Sequence, residues 1–292
     1  MMDLGNRSQL GPTGLGLAGG AIMDINAEGK TAVVTGAGGA IGGALAKGLV
    51  HEGASVAIWD ISSAAAQKTA EAIGALGRNA VGIACDVLDT SSVEAATNMT
   101  LGEFGAIDIL VNCAGGSRKE AATSPERTFF DLAVEDMAQV FSLNYMGTVI
   151  PCQAVGRIFA ERQSGCIVNI TSVAGALPLT GTIAYSNAKA AANSFTRWLA
   201  VHMAQHYSPR IRVNAIAPGF CLTPLNKYLL VDEKTGAFTD KGQRVIANVP
   251  MGRIGEPEEM VGALLWLVSD SARFVTGAVI PVDGGFTAYC GV

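Results

Sequence analysis

Charge is the scarcest ingredient of this sequence. Only 15% of its 292 residues are Asp, Glu, Lys or Arg, where soluble domains usually carry about 25%. The balance is mildly acidic, 25 acidic against 20 basic residues for a net charge of −5. No basic cluster interrupts it, which argues against nucleic acid as the main ligand. Apolar runs of membrane length are missing too. The uncharged stretch from Thr31 to Ala46 spans about 16 residues and contains five glycines, short of the ~20 apolar residues a spanning helix needs. The first 25 residues hold one Arg, one Pro and no sustained apolar run, unlike a secretory signal. Residues 1–29 therefore read as a flexible leader, and a cytoplasmic location is expected.

Metal-ligand spacing is also lacking. The six cysteines stand at 85, 113, 152, 166, 221 and 290. None forms a CxxC pair, and no Cys/His cluster has zinc spacing. A reducing compartment is the simplest reading. His202 and His206 lie four apart without the Glu of an HExxH motif, so an amphipathic helix surface is expected and no metal.

What the chain has in excess is glycine, 36 of 292 residues, within 49% hydrophobic composition. Disordered chains are charged and poor in aliphatics, so a folded domain is expected. From Lys30 onward, Val/Ile runs at 31–35, 55–60, 80–86, 107–112, 165–171, 210–217 and 277–283 alternate with longer Ala-rich segments. Continuous apolar runs mark strands covered on both faces. Helices are predicted near 41–52, 64–77, 91–104, 134–162, 184–206 and 257–269. Strict alternation gives an α/β fold: a doubly wound, mostly parallel seven-stranded sheet with helices on both faces, one domain over 30–292. Two segments break the rhythm, 116–133 and 220–256. Each leaves the carboxyl end of a strand, where open α/β sheets bind ligands, and reads as a lid.

The turn Thr35-Gly36-Ala37-Gly38-Gly39-Ala40-Ile41-Gly42 joins the first strand to the first helix. Glycines there let the backbone approach a pyrophosphate at a helix N-terminus. Asp60 follows 18 residues past Gly42, ending the second strand. That placement suits both hydroxyls of an adenosine ribose and repels a 2′-phosphate, which favours NAD(H) over NADP(H). Tyr185 and Lys189 then fall four apart at the start of a long helix, on one face. A free tyrosine loses its proton near pH 10; a neighbouring ammonium lowers that value and makes the phenol a usable acid or base. Ser172 ends the strand run GCIVNITS, thirteen residues upstream of Tyr185. Ser172 and Tyr185 together could hold one carbonyl oxygen.

These motifs, in this order, resemble the short-chain dehydrogenase/reductase family. The glycine turn appears as TGAGGAIG, with Ala40 at a usual glycine, and NNAG appears as Asn112-Cys113-Ala114-Gly115. Asn144, Ser172 and the pair Tyr185 and Lys189 match the family's active-site residues, and Pro218-Gly219 with Thr223 matches its later turn. The resemblance implies a Rossmann fold and an oxidoreductase acting on CH–OH groups. Tyr185 would be the general acid or base. Lys189 would bind the nicotinamide ribose and lower the Tyr185 pKa, and Ser172 would hold the substrate oxygen. Asn144 would position a water, or else simply bond neighbouring backbone. Gly36, Gly38, Gly39, Ile41 and Gly42 would cradle the pyrophosphate, and Asp60 and Ile61 the ribose. Asp86 and Val87 would line the adenine; Asn112, Ala114 and Gly115 would support the cofactor; Pro218, Gly219 and Thr223 would flank the carboxamide. The family also implies a homotetramer.

The insertion VDEKTGAFT and the ending VDGGFTAYCGV resemble one subgroup of that family, the D-mannonate oxidoreductases, or fructuronate reductases. A sugar acid would then be the substrate, its carboxylate met by Arg118 or Lys119 in the first excursion, or by Asn226, Lys227 or Arg244 in the second. Phe129, Phe220, Tyr228 and Phe286 could wall the pocket or belong to core packing. Gluconate 5-dehydrogenase, polyol and 3-oxoacyl reductase specificities remain alternatives. So does an NAD-binding sensor or structural subunit, which would have no need of a poised phenol.

Overall fold

Val/Ile runs that bury both faces need helices above and below, and the chain supplies them. Seven strands form one sheet: β1 (Thr31–Thr35), β2 (Ser55–Asp60), β3 (Ala80–Ala84), β4 (Ile109–Asn112), β5 (Gly165–Ile170), β6 (Ile211–Pro218) and β7 (Val279–Val282). Their order is β3-β2-β1-β4-β5-β6-β7, and every neighbouring pair is parallel. A computed structural model describes residues 27–224, 226–232 and 235–291. Most of the expected leader, 1–26, therefore lies outside the described residues. Ala27 is already buried and donates its N–H to the Glu52 carbonyl at 2.9 Å, so packed structure begins before Lys30.

The helices are α1 (Ala40–His51), α2 (Ser63–Gly74), α3 (Thr90–Phe104), α4 (Val134–Arg162), α5 (Ile183–His206), α6 (Lys227–Leu230), α7 (Asp240–Ala247) and α8 (Val261–Val268). Local chemistry sets their ends. The Ser62 and Asp89 side chains accept the N–H groups of Ala65 and Ser91 and so cap α2 and α3. Four predicted strands are shorter than expected: β3 stops at Ala84, before Asp86, β4 starts at Ile109, β5 stops at Ile170, and β7 starts past Gly277, whose φ of 77° turns the chain. The helix predicted over 257–269 opens as a 3-10 turn at Pro257–Met260, with Pro257 in its first turn, before α8 begins.

Side chains alternate across the sheet. Val34, Val56, Ile58, Val111 and Val168 face α1, α2 and α8 through Leu45, Leu49, Ile73 and Leu264. Val33, Trp59, Leu110, Ile167 and Val213 face α3, α4 and α5 through Val93, Val155, Phe159 and Met203. A smaller cluster around Leu230, Val245, Val249 and Ile254 gives the second excursion its own core, against which Phe220 and Phe286 pack.

The sheet order reverses between β1 and β4. In such folds the crevice for a ligand opens at the carboxyl ends of those two strands. Thr35 and Asn112, which end them, are register partners, and Asn112 is in turn opposite Asn169 of β5. The fold therefore points the ends of β1, β4 and β5 at one place.

Candidate active site

At the end of β1 the chain needs a turn that lets α1 present its first N–H groups. Gly36 has φ +63°, and a Cβ there would lie 2.7 Å from the Ala114 Cα. A Cβ on Gly38 would meet Asp60 Oδ2 at 2.8 Å, and one on Gly42 would meet the Gly36 carbonyl at 2.6 Å. Gly39 is the N-cap of α1; no side chain caps that end and no acidic residue lies in its first turn. Free N–H groups and a positive dipole end suit a phosphate. Asp60 accepts the Gly38 N–H at 3.0 Å and the Ser62 N–H at 2.9 Å, which fixes its carboxylate beside the glycine turn. Ile61 next to it is 75% exposed. These residues fit an adenosine diphosphate moiety, with the glycine cradle as the observation that decides it.

Thr35 Oγ1 accepts the N–H groups of Cys113 and Ala114, both at 3.0 Å, and so ties the first turn to the end of β4. The sequence places Thr35 within the turn but offers no sign of this role. Gly115 follows; a Cβ there would meet Asn144 Oδ1 at 2.6 Å and Lys189 Nζ at 3.3 Å. Asp86 and Val87 follow β3. Asp86 accepts the Leu88 N–H at 2.9 Å, and Val87 is buried against the face of α4 that Gly147 leaves bare. Asn112 differs from expectation. Its amide turns into the core, donating to Asn169 Oδ1 at 2.9 Å and to Cys152 Sγ at 3.2 Å. Asn169 in turn donates to Thr196 Oγ1 of α5 at 2.9 Å. Asn112 thus acts through the sheet, by a buried thread that needed the strand register to be seen.

The predicted reactive residues converge. Ser172 leaves β5, accepts the Ala174 N–H at 3.1 Å, and lies near enough to the Tyr185 phenol to favour its ionised form. The Lys189 ammonium lies 5.6 Å from the centroid of the Tyr185 ring and donates to the Ile170 carbonyl at 2.9 Å. Lys189 is only 4% exposed, and burial lowers its pKa to about 8. Tyr185 corrects an expectation. Burial pushes its phenol up, with Ser172 opposing, and the nearby Cys113 and Cys221 thiols add to the rise. Desolvation of the phenolate is the largest cause of this rise, against the expected depression by the lysine.

Asn144 is fully buried in α4. Its Oδ1 accepts the Gly116 N–H at 3.1 Å while its Nδ2 donates to the Gly116 carbonyl at 2.7 Å and to Val140 O at 2.8 Å. This two-way clamp on Gly116 holds the start of the first excursion beside Lys189. The backbone-bonding alternative is the one its side chain takes.

Pro218 and Gly219 end β6, and Gly219 donates to the Val282 carbonyl at 2.9 Å. A Cβ on Gly219 would press on Asp283 Cα at 2.7 Å, so the turn after β7 positions this loop. Nothing in the sequence singles out Asp283. The substrate candidates do not converge. Arg118 is exposed and bonded to Gln139 at 2.7 Å, and Lys119, Lys227 and Arg244 are exposed. Asn226 is spent inside its own loop, accepting from the Thr223 N–H at 2.8 Å and donating to Cys221 O at 2.7 Å. Phe220 and Phe286 pack edge-on against the small core of the second excursion, while Phe129 pairs with exposed Phe130. The Tyr228 side chain lies outside the described residues. Among the described residues no group of three metal ligands forms, and no helix is long and apolar enough to cross a membrane.

A phosphate-ready βα turn at the switch point of a parallel sheet, with a serine–tyrosine–lysine cluster beside it, defines a dinucleotide-dependent oxidoreductase. Residues 36–287 match the family described as enoyl-(acyl carrier protein) reductase. The uncharacterized oxidoreductase UxuB of Bacillus subtilis is 43% identical over 276 residues, covering 91% of this chain and 98% of that one. A crystal structure from Haemophilus influenza, a candidate D-mannonate oxidoreductase with bound NAD, is 41% identical with a TM-score of 0.86. It covers 91% of this chain and 98% of its own. A candidate NAD(P)-dependent gluconate 5-dehydrogenase from Beutenbergia cavernae, holding NADP at low occupancy, is 30% identical at a TM-score of 0.79. The alignment covers 91% and 99% of the two chains. The chain belongs to the short-chain dehydrogenase/reductase family, and it is an oxidoreductase of the alcohol–carbonyl kind.

Proposed function

We propose that this protein interconverts a carbonyl and a secondary alcohol on a sugar acid or polyol of the mannonate/fructuronate kind. NAD(H) would serve in preference to NADP(H). The observation that carries the chemistry is the convergence of Ser172, Tyr185 and Lys189 at the end of β5. The bound nicotinamide supplies or accepts the hydride. The glycine turn, Asp60 and Lys189 would hold its nucleotide, and Pro218, Gly219 and Thr223 its carboxamide end. In the reducing direction Tyr185 gives its proton to the carbonyl oxygen while the Ser172 hydroxyl fixes that oxygen in place. The Lys189 ammonium then stabilises the phenolate left behind. In the oxidising direction Tyr185 must first lose its proton, which its raised pKa opposes.

The Asp60 carboxylate supports the NAD preference by charge, and the similarity to an NAD-bound structure agrees with it. The sugar-acid reading rests on the resemblance of the C-terminal segments and on the Haemophilus influenza relative. A homotetramer in the cytoplasm is the assembly and location proposed with it. Nicotinamide absorbance with purified protein tests the reading, using fructuronate, mannonate, gluconate and a set of polyols with either cofactor. Turnover is expected with a sugar acid and NAD(H), and Tyr185→Phe should lower kcat by about 10³-fold. A preference for NADP(H) would refute the Asp60 argument. Tight cofactor binding without turnover of any alcohol or carbonyl would favour a sensor instead.

A further inference from the structure

The loop that follows β6 is held along its length by two different sets of partners. Gly219 donates to the Val282 carbonyl, the Phe220 carbonyl accepts the Gly255 N–H, and Leu222 donates to the Gly255 carbonyl, each at 2.9 Å. The Cys221 carbonyl and the Thr223 N–H are met instead by one side chain. Asn226 accepts the Thr223 N–H on Oδ1 at 2.8 Å and donates from Nδ2 to the Cys221 carbonyl at 2.7 Å. The first bond belongs to a local turn, since Asn226 and Lys227 return their own N–H groups to the Thr223 carbonyl at 3.1 and 2.9 Å. That exchange resembles a helix capping box, in which the side chain serves as an acceptor. The bond from Nδ2 lies outside it and reaches back five residues along the chain. Asn226 also leads directly into α6, whose Leu230 sits in the small core of the second excursion, and Leu222 packs against the same core.

We propose that Asn226 is a positioning residue for the cofactor, setting the Cys221–Thr223 backbone in the form that receives the nicotinamide carboxamide. The inference rests on the reading that the loop of Pro218, Gly219 and Thr223 takes that end of the cofactor. A primary carboxamide is both donor and acceptor, so a matching backbone must present an N–H and a carbonyl at a fixed spacing. A loop that has to be ordered as the ligand arrives gives up affinity, and one ordered beforehand keeps it. Asn226 supplies that order by tying Cys221 to Thr223 and both to the excursion. Its loss is felt at the nicotinamide end alone. The adenosine end has its own bonds, from Asp60 to the N–H groups of Gly38 and Ser62.

Calorimetric titration of NADH and of ADP-ribose into the full chain tests it. The two ligands share the adenosine diphosphate and its ribose, and ADP-ribose lacks the nicotinamide. Asn226→Ala should weaken NADH binding about fivefold or more, the scale of one hydrogen bond, and leave ADP-ribose within about twofold. Asn226→Asp keeps the acceptor for the Thr223 N–H and loses the donor to Cys221. Its thermal unfolding should therefore stay close to that of the wild type, while NADH binds as weakly as to the alanine variant. The dihydronicotinamide ring is uncharged, so the new carboxylate exerts no pull on it. The proposal is overturned if Asn226→Ala leaves the NADH affinity unchanged, or if NADH and ADP-ribose weaken together. Restored NADH binding in Asn226→Asp would leave only the capping role and overturn it as well. A wild type that binds NADH no more tightly than ADP-ribose would refute the reading of the loop itself, and the proposal with it. That outcome is separate because it is read on the unaltered protein.

Discussion

Lys189 shows how a functional side chain can weaken the fold that holds it. Burial lowers its pKa from 10.5 to about 8, so at pH 7 the folded protein keeps a charged ammonium in a site that disfavours charge. Between pH 8 and 10.5 the unfolded chain binds more protons than the folded one, and stability rises with pH through that window. Below pH 8 the penalty is fully present. Lys189→Met should therefore raise thermal stability at pH 7, by an amount on the order of 2 kcal/mol after the lost hydrogen bond to Ile170. The advantage should shrink as pH rises from 8 to 10, while catalysis is lost throughout. Unfolding of both proteins across that range checks it; a wild type more stable at pH 7 would contradict the buried-charge account. At this scale the sequence was informative where the chemistry is local. Gly36, Asp60, Tyr185 and Lys189 declare themselves by spacing along one turn or one helix. The rise of the Tyr185 phenol was not legible, because it comes chiefly from burial, which is set by how the surrounding strands and helices pack.

Elements meet at the active site through contacts that no single segment encodes. The turn after β7 is the clearest case. Asp283 accepts the Gly285 N–H at 2.9 Å, the Thr287 N–H at 2.8 Å and the Thr287 hydroxyl at 2.6 Å. Burial would raise its pKa, but these bonds together hold the carboxyl below its usual value. The same turn receives Gly219 against Asp283 and the Met251 N–H on the Gly284 carbonyl at 3.1 Å. One carboxylate thus knots the C-terminal segment to the Pro218–Gly219 loop and to the end of the second excursion. Asp283→Ala leaves three donors without their acceptor, and a loss of about 1–3 kcal/mol is expected. The Michaelis constant for the cofactor should rise several-fold, more than kcat falls, because Asp283 positions a binding loop and touches no reacting atom. Thermal unfolding with steady-state kinetics checks this, and an unchanged constant for the cofactor would sever Asp283 from the loop. Strand and helix ranges were readable from Val/Ile runs and Ala-rich segments. The Asn112–Asn169–Thr196 thread and the Asp283 knot were not, since both require knowing which strands lie side by side.

For the whole molecule, the low charge of the sequence translates into unsatisfied apolar surface. α4 and α5 pack side by side on one face of the sheet, joined by the aromatic series Phe141–Tyr145–Phe195 at 5.6 and 6.1 Å. On the outward side of α5, Trp198 is 60% and Val201 55% exposed, and α4 adds Val134, Phe141 and Met146. Ile183, Asn187, Ala190, Ser194, Trp198 and Val201 recur at three- and four-residue steps along the exposed face of α5, the spacing of a helix stripe that packs on another helix. Apolar stripes of this extent on a soluble protein mark association, and closed symmetry is the usual result. The proposed homotetramer would cover them. Trp198→Glu with Val201→Glu places two charges on each stripe, and in a symmetric contact each charge meets its own copy or a desolvated partner surface. Sedimentation velocity should then show smaller species than the wild type, with the far-ultraviolet dichroism unchanged because both positions are exposed in the single protomer. Activity per protomer should fall with dissociation, since α5 also carries Tyr185 and Lys189 and loses the support of its partner helix. A wild type that sediments as a monomer would break the link between scarce charge and assembly, leaving the exposed tryptophan without a cover.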